Sequence, residues 1–289
     1  MPEGRIIKAL SGFYYVLDGE DIWQCRARGI FKKRGITPLV GDIVDYEPEP
    51  NAEGYVMNIH ERCSELVRPP IANVDQAVLV FSVSQPALSP LLLDKFLVHT
   101  EWAGVSAIIC FSKTDLVIEE YESIEQIYRD LGYTVIKTSK QSQCGVEELQ
   151  THLAGHITVF AGQSGVGKST LLNSLLPGSN LLTGVISDRL KRGKHTTRHV
   201  ELIAVERGFV ADTPGFSQLD FFDIDLEELC RYFVEIKEYS ASCKFRGCLH
   251  LTEPNCAVRM ALEEGKIHPS RYSSYKQFLA EIKEKKRRY

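Results

Sequence analysis

The residues best placed to do chemistry are Gly162-Gln163-Ser164-Gly165-Val166-Gly167-Lys168-Ser169-Thr170. The glycines let a backbone curl until successive N–H groups point at one anion. The N-terminus of a following helix adds partial positive charge. Lys168 is placed to reach β- and γ-phosphates, and the Ser169 hydroxyl to hold Mg²⁺. The flanks agree with a phosphate-binding loop. Ile157-Thr158-Val159-Phe160-Ala161 is an apolar run of strand length, and Leu171 to Leu176 is helical in pattern, stopped by Pro177-Gly178.

A second cluster precedes this loop in the chain. The buried-strand pattern Val105 to Phe111 ends in Ser112-Lys113-Thr114-Asp115, and ligands sit at the carboxyl ends of parallel strands. Asn-Lys-x-Asp is the guanine-reading motif of GTPases, and Ser112 stands in the place of its Asn. A carboxylate at Asp115 can accept two hydrogen bonds from guanine N1–H and N2–H₂, a donor pair adenine lacks. Lys113 would lay its stem along base and ribose. Thr138-Ser139-Lys140 follows the next strand and would supply a second base-contacting loop.

A third cluster follows the phosphate loop. Asp212-Thr213-Pro214-Gly215 ends the strand pattern Phe209-Val210-Ala211. Asp212 would bind Mg²⁺ through water and the Gly215 N–H would meet the γ-phosphate. The polar run Ser187 to Thr197 reads as a nucleotide-ordered switch loop. There Thr196 or Thr197 completes the Mg²⁺ shell, giving an expected set of Ser169, Thr197 and Asp212. Phe216 occupies the place where many GTPases keep a water-orienting Gln, and it has no hydrogen-bonding group. His195 is the nearest candidate for that work.

Near the C-terminus, Cys243, Cys248, His250 and Cys256 are spaced C-x₄-C-x-H-x₅-C. Three thiolates and an imidazole make a closed tetrahedral Zn²⁺ site. Cys25, Cys63, Cys110, Cys144 and Cys230 are scattered and read as inert.

The elements that must position these groups fall into three sections. Residues 1–68 show five short strand patterns and Gly/Asp punctuation, which fits an all-β OB-type barrel. Within it, Arg26, Arg28, Lys32, Lys33 and Arg34 surround Phe31. That arc is either an RNA footprint or a basic solvated loop. Pro69-Pro70 reads as a linker. Residues 69–221 alternate apolar strands with helices, as in a doubly wound α/β domain. Residues 222–289 read as mostly helical around the cysteine cluster. Their tail, Lys283 to Arg288, is either a solvated helix end or an RNA contact.

The 289 residues, 44% hydrophobic and 25% charged, allow ordinary globular packing. No run approaches a membrane span, and Met1 to Arg5 lacks the apolar core of a signal peptide. A cytoplasmic monomer is expected, with thiols free or metal-bound rather than disulfide-linked. A net charge of −4 leaves nucleic-acid binding to local patches. A P-loop kinase or ATPase would lack the carboxylate-bearing turn at Ser112 to Asp115. A nucleic-acid module with a purely structural nucleotide site would bind without turnover.

In most GTPases the base-reading turn follows the phosphate loop and Asp-x-x-Gly. Here it comes first. A single site survives that order if the domain is circularly permuted. On these motifs the whole chain resembles the RsgA (YjeQ/YloQ) family of circularly permuted GTPases. The resemblance implies a slow GTPase that is stimulated by the small (30S) ribosomal subunit and assists its late maturation. It also implies a zinc site at the cysteine cluster and a catalytic role for His195.

Overall fold

The computed structural model describes residues 1–49, 53–67, 70–116, 120–142, 144–175, 200–205, 208–212 and 224–288. Alternating inward and outward residues build the first five strands. They are β1 (Glu3–Leu10), β2 (Phe13–Asp18), β3 (Asp21–Ala27), β4 (Ile43–Glu47) and β5 (Gly54–Ile59). They run in the order β1-β2-β3-β5-β4, and a further β1–β4 pairing closes them into a barrel. Ile6, Val16, Cys25, Val44 and Val56 fill its interior. The basic arc is not a loop throughout. Arg26 belongs to β3, and Gly29–Lys33 forms a short helix, α1, anchored by buried Phe31. Arg28, Lys32, Lys33 and Arg34 are exposed around it.

Pro70, in the segment read as a linker, opens a strand. β6 (Glu65–Val67) pairs with β7 (Pro70–Ala72), and buried Ala72 donates from its N–H to the Val40 carbonyl at 2.9 Å. Arg62 adds a two-pronged bond to buried Asp42, at 2.7 and 2.8 Å.

The central domain follows with β8 (Gln76–Ser82), α2 (Pro90–Ala103), β9 (Ser106–Ser112), α3 (Glu120–Asp130), β10 (Thr134–Thr138) and α4 (Val146–Leu153). Next come β11 (Ile157–Ala161), α5 (Lys168–Leu175), β12 (Glu201–Val205) and β13 (Gly208–Asp212). Strands β10, β9, β8, β11 and β13 are parallel neighbours in that order, with β12 antiparallel at the side of β13. β8 is buried along its whole length, as a strand covered on both faces should be. Leu93, Phe96, Tyr121 and Tyr128 of α2 and α3 pack with one face. Leu149, Leu153, Leu171 and Leu172 of α4 and α5 pack with the other. β1 of the barrel pairs with β12, so barrel and central domain share one eleven-stranded sheet.

The C-terminal region contains a 3₁₀ turn (Leu229–Tyr232), helices Val234–Ser240 and Ala257–Glu263, and a terminal helix Pro269–Arg288. The 3₁₀ turn and the helix after it are separated at Phe233, whose backbone is extended at φ −114° and ψ 107°. Phe233 is fully buried, its ring centroid 5.5 Å from Tyr275 and 6.0 Å from Phe278. Burying that ring outweighs continuing a helix.

Candidate nucleotide site and metal cluster

β9 and β11 end on the same edge of the sheet with only β8 between them, which brings the two predicted loops together. Gly162, Gly165 and Gly167 have φ of +139°, +82° and +100°, a region L side chains rarely enter. At Gly162 a Cβ would also lie 2.2 Å from the Val80 carbonyl oxygen, so that position admits only glycine. Lys168 and Ser169 open α5. The Lys168 ammonium donates to the Gly162 and Gln163 carbonyls at 2.6 Å each. Burial holds its pKa below the ordinary lysine value. A phosphate oxygen is a stronger, charged acceptor for the same protons.

The turn after β9 is tied to this loop. Buried Ser112 donates from its hydroxyl to the Val166 carbonyl at 2.6 Å, with the Phe81 carbonyl at 3.3 Å. The Lys113 ammonium donates to the Gly165 carbonyl at 2.9 Å and to the Gln85 carbonyl. Thr114 donates to the Thr138 carbonyl, and Asp115 is exposed at the end of the turn. Ser139 donates to Asp115 Oδ1 at 2.8 Å and accepts from the Gln141 and Ser142 N–H groups. Asp115 therefore presents its remaining lone pairs from a pinned carboxylate. Gln85 was not marked by the sequence; it contributes a backbone carbonyl, which every residue type carries.

β11 and β13 are parallel neighbours, with Val159 opposite Ala211, so the backbone of Asp212 leaves the sheet beside the phosphate loop. Gly215, His195, Thr196 and Thr197 lie outside the described residues. β12 and α4 had not been marked in the sequence either.

The four C-terminal ligand candidates converge. Cys243, Cys248, His250 and Cys256 place their ligand atoms within 4.8 Å of one another. Sγ–Sγ distances are 3.8 Å for Cys243–Cys256 and Cys248–Cys256, and His250 Nδ1 lies 3.5 and 3.4 Å from the sulfurs of Cys243 and Cys256. Those are the edge lengths of a tetrahedron with metal–sulfur bonds of about 2.3 Å and a metal–nitrogen bond of about 2.0 Å. Burial lowers the His250 pKa, which keeps the imidazole neutral and able to ligate. Burial also pushes the Cys248 thiol up to about 12, a cost that a cation at the centre would reverse. Glu253 braces the loop by accepting from the N–H groups of Leu249, Leu251 and Thr252. The residues fit a metal ion.

A phosphate loop, a carboxylate-bearing turn placed before it in the chain, and a parallel sheet joining the two define a circularly permuted GTPase. Comparison with known proteins agrees. The RsgA GTPase family matches residues 59–222, and the RsgA N-terminal domain matches residues 3–56. The chain belongs to the RsgA GTPase family, whose members are GTP hydrolases. It is 59% identical to a Bacillus velezensis protein and 55% identical to one from Bacillus subtilis, each over the full length of both chains. Both are named small ribosomal subunit biogenesis GTPase RsgA. Among solved structures it is similar to YloQ, described as a circularly permuted GTPase, at 49% identity and a TM-score of 0.85, covering 99% of this chain and 96% of that one. YjeQ from Thermotoga maritima matches at 36% identity and a TM-score of 0.86, covering 97% and 98%.

Proposed function

We propose that this chain binds the small (30S) ribosomal subunit, assists its late maturation, and hydrolyses GTP to GDP and phosphate, slowly alone and faster on the subunit. The observation that carries the reading is the exposed carboxylate of Asp115, held by Ser139 on a turn bonded to the phosphate loop. Asp115 reads guanine N1–H and N2–H₂, and Lys113, Thr114, Thr138 and Ser139 shape that pocket. Gly162 to Gly167 present N–H groups to the phosphates, Lys168 takes β- and γ-oxygens, and Thr170 extends the loop into α5. Ser169, Thr197 and Asp212 would hold Mg²⁺, which when bound would supply positive charge to the phosphate oxygens. The Gly215 N–H meets the γ-phosphate and His195 orients the attacking water.

The cysteine–histidine cluster holds one Zn²⁺, since three sulfurs and one nitrogen in a closed tetrahedron suit that ion. The chain divides functionally into the barrel (1–68), the GTPase (69–221) and the zinc region (222–289), and acts as a cytoplasmic monomer. Exposed Arg28, Lys32, Lys33 and Arg34 on and around α1 favour ribosomal RNA as the barrel's partner. The test is GTP hydrolysis with and without small subunits. A large stimulation is expected, and an unchanged rate overturns the reading. His195→Ala should keep GTP and subunit binding while lowering the stimulated rate roughly 10²–10⁴-fold.

A further inference from the structure

Ser112 stands where the guanine-reading motif has asparagine, and its chemistry differs in one respect. A hydroxyl carries one proton, a side-chain amide two. The Ser112 Oγ lies 2.6 Å from the Val166 carbonyl and 3.3 Å from the Phe81 carbonyl. Both partners are acceptors, so that single proton is committed inside the protein. The Thr114 hydroxyl and two of the three Lys113 ammonium protons are engaged as well. The Thr114 hydroxyl faces the Thr138 carbonyl at 3.3 Å, and the Lys113 ammonium is held on the carbonyls of Gly165 and Gln85. Asp115 as a carboxylate has no proton to give.

We propose that Ser112 is a positioning residue and makes no contact with the base, and that guanine is read on its Watson–Crick edge while N7 receives no hydrogen bond from the Ser112 side chain. The inference rests on the guanine reading above. Its second half concerns phosphate. In a trans peptide the C=O and N–H point in opposite directions. Ser112 holds the Val166 carbonyl, which fixes the Gly167 N–H on the opposite side. Lys113 does the same for the Gly165 carbonyl and the Val166 N–H. The base turn thereby sets the direction of two amides in the phosphate loop. An asparagine could keep the Val166 bond with one amide proton and offer the other to N7.

The experiment is equilibrium binding of GDP, 7-deaza-GDP, guanosine and ADP to the full chain. GDP should be preferred over ADP, and 7-deaza-GDP, which lacks the N7 acceptor, should bind within about 2-fold of GDP. Ser112→Asn should create sensitivity to the deaza substitution of about 2- to 10-fold, the size of one net neutral hydrogen bond. Ser112→Ala should weaken GDP and 7-deaza-GDP alike, by about 10-fold, and leave guanosine unchanged, with Ser112→Thr restoring GDP binding. Loss of any preference for GDP over ADP in the wild type would remove the guanine reading itself. A preference for guanine with 7-deaza-GDP ten-fold or more weaker would overturn this inference alone. Equal weakening of guanosine and GDP by Ser112→Ala would overturn the positioning role.

Discussion

The GTPase sheet is joined to its two neighbours by different physics. The barrel attaches through backbone. β1 extends the sheet at β12, and the contact is framed by the Lys8–Glu201 ion pair at 3.0 Å and by Arg5 over the Phe209 ring at 5.9 Å. The C-terminal region attaches through side chains on one helix. The face of α2 carrying Leu93, Phe96 and Leu97 lies in the GTPase core, while Val98 and Trp102 belong to the C-terminal core. Between the two cores, buried Arg271 donates to Asp94 of α2 at 2.5 Å and to Glu235 at 2.7 Å. Burial opposes the Arg271 charge, but the two carboxylates hold its pKa above the ordinary guanidinium value. The Tyr128 hydroxyl donates to Asp94 at 2.8 Å, and Lys95 pairs with Glu281. A strand edge fixes register but tolerates surface change. A shared helix with a buried ion triad should couple the unfolding of the two regions.

The largest expected effect breaks the side-chain junction from its far end. Cys256→Ser, or removal of metal by a chelator, should release the metal and unfold the C-terminal core, because a structural metal site contributes folding energy directly. Amides of α2 should lose hydrogen-exchange protection along with it, since Val98 and Trp102 lie in that core, while barrel amides should stay protected. Protection retained in α2 would show that the two cores are independent.

Next comes the triad. Arg271→Met leaves two buried carboxylates without their cation and should cost about 3–5 kcal/mol in urea unfolding. Adding Asp94→Asn and Glu235→Gln should recover much of that loss, because the penalty is unpaired charge rather than a missing attraction. Failure of the triple variant to recover would mean that the geometry of the triad itself is required. The barrel junction should respond far less. Lys8 and Glu201 are each about one-third exposed, and Lys8→Ala should cost no more than about 1 kcal/mol.

The smallest effect is a pH slope confined to the barrel. His60 Nε2 lies 3.0 Å from Asp45 Oδ1, with Glu3 at 3.7 Å from the other nitrogen, and the hydrogen bond to Asp45 raises the His60 pKa. A raised folded pKa contributes stability that is fully present below the unfolded value, about 6.5, and lost as pH rises through the folded one. Barrel stability should therefore fall slightly as pH rises through that window. His60→Gln should flatten the slope, and the C-terminal core should not share it.

How far the sequence could be read depends on where each group's partners lie. The phosphate loop, Asp115 and the cysteine–histidine set were legible because their chemistry needs fixed residue types at fixed local spacings. The five barrel strands and the alternating strands and helices were legible from periodicity. α1 was hidden because a five-residue helix anchored by one phenylalanine has no period to detect, and the junction of β1 with β12 because it crosses about 190 residues, although β12 itself pairs locally with β13. The break at Phe233 follows from two rings on the terminal helix, which local propensity does not register.

By itself, then, the sequence determined which residue types are brought together: a glycine-rich loop with its lysine, a carboxylate-bearing turn and a soft-ligand set able to hold a metal, in the order of a permuted domain. Only the tertiary structure decided how these parts are coupled. The carbonyls that hold Ser112 and Lys113, the pairing of Arg271 with Asp94 across 177 positions, and the sharing of α2 between two cores depend on distances through space. Backbone carbonyls leave no mark in residue type, and a buried arginine is written with the same letter as an exposed one.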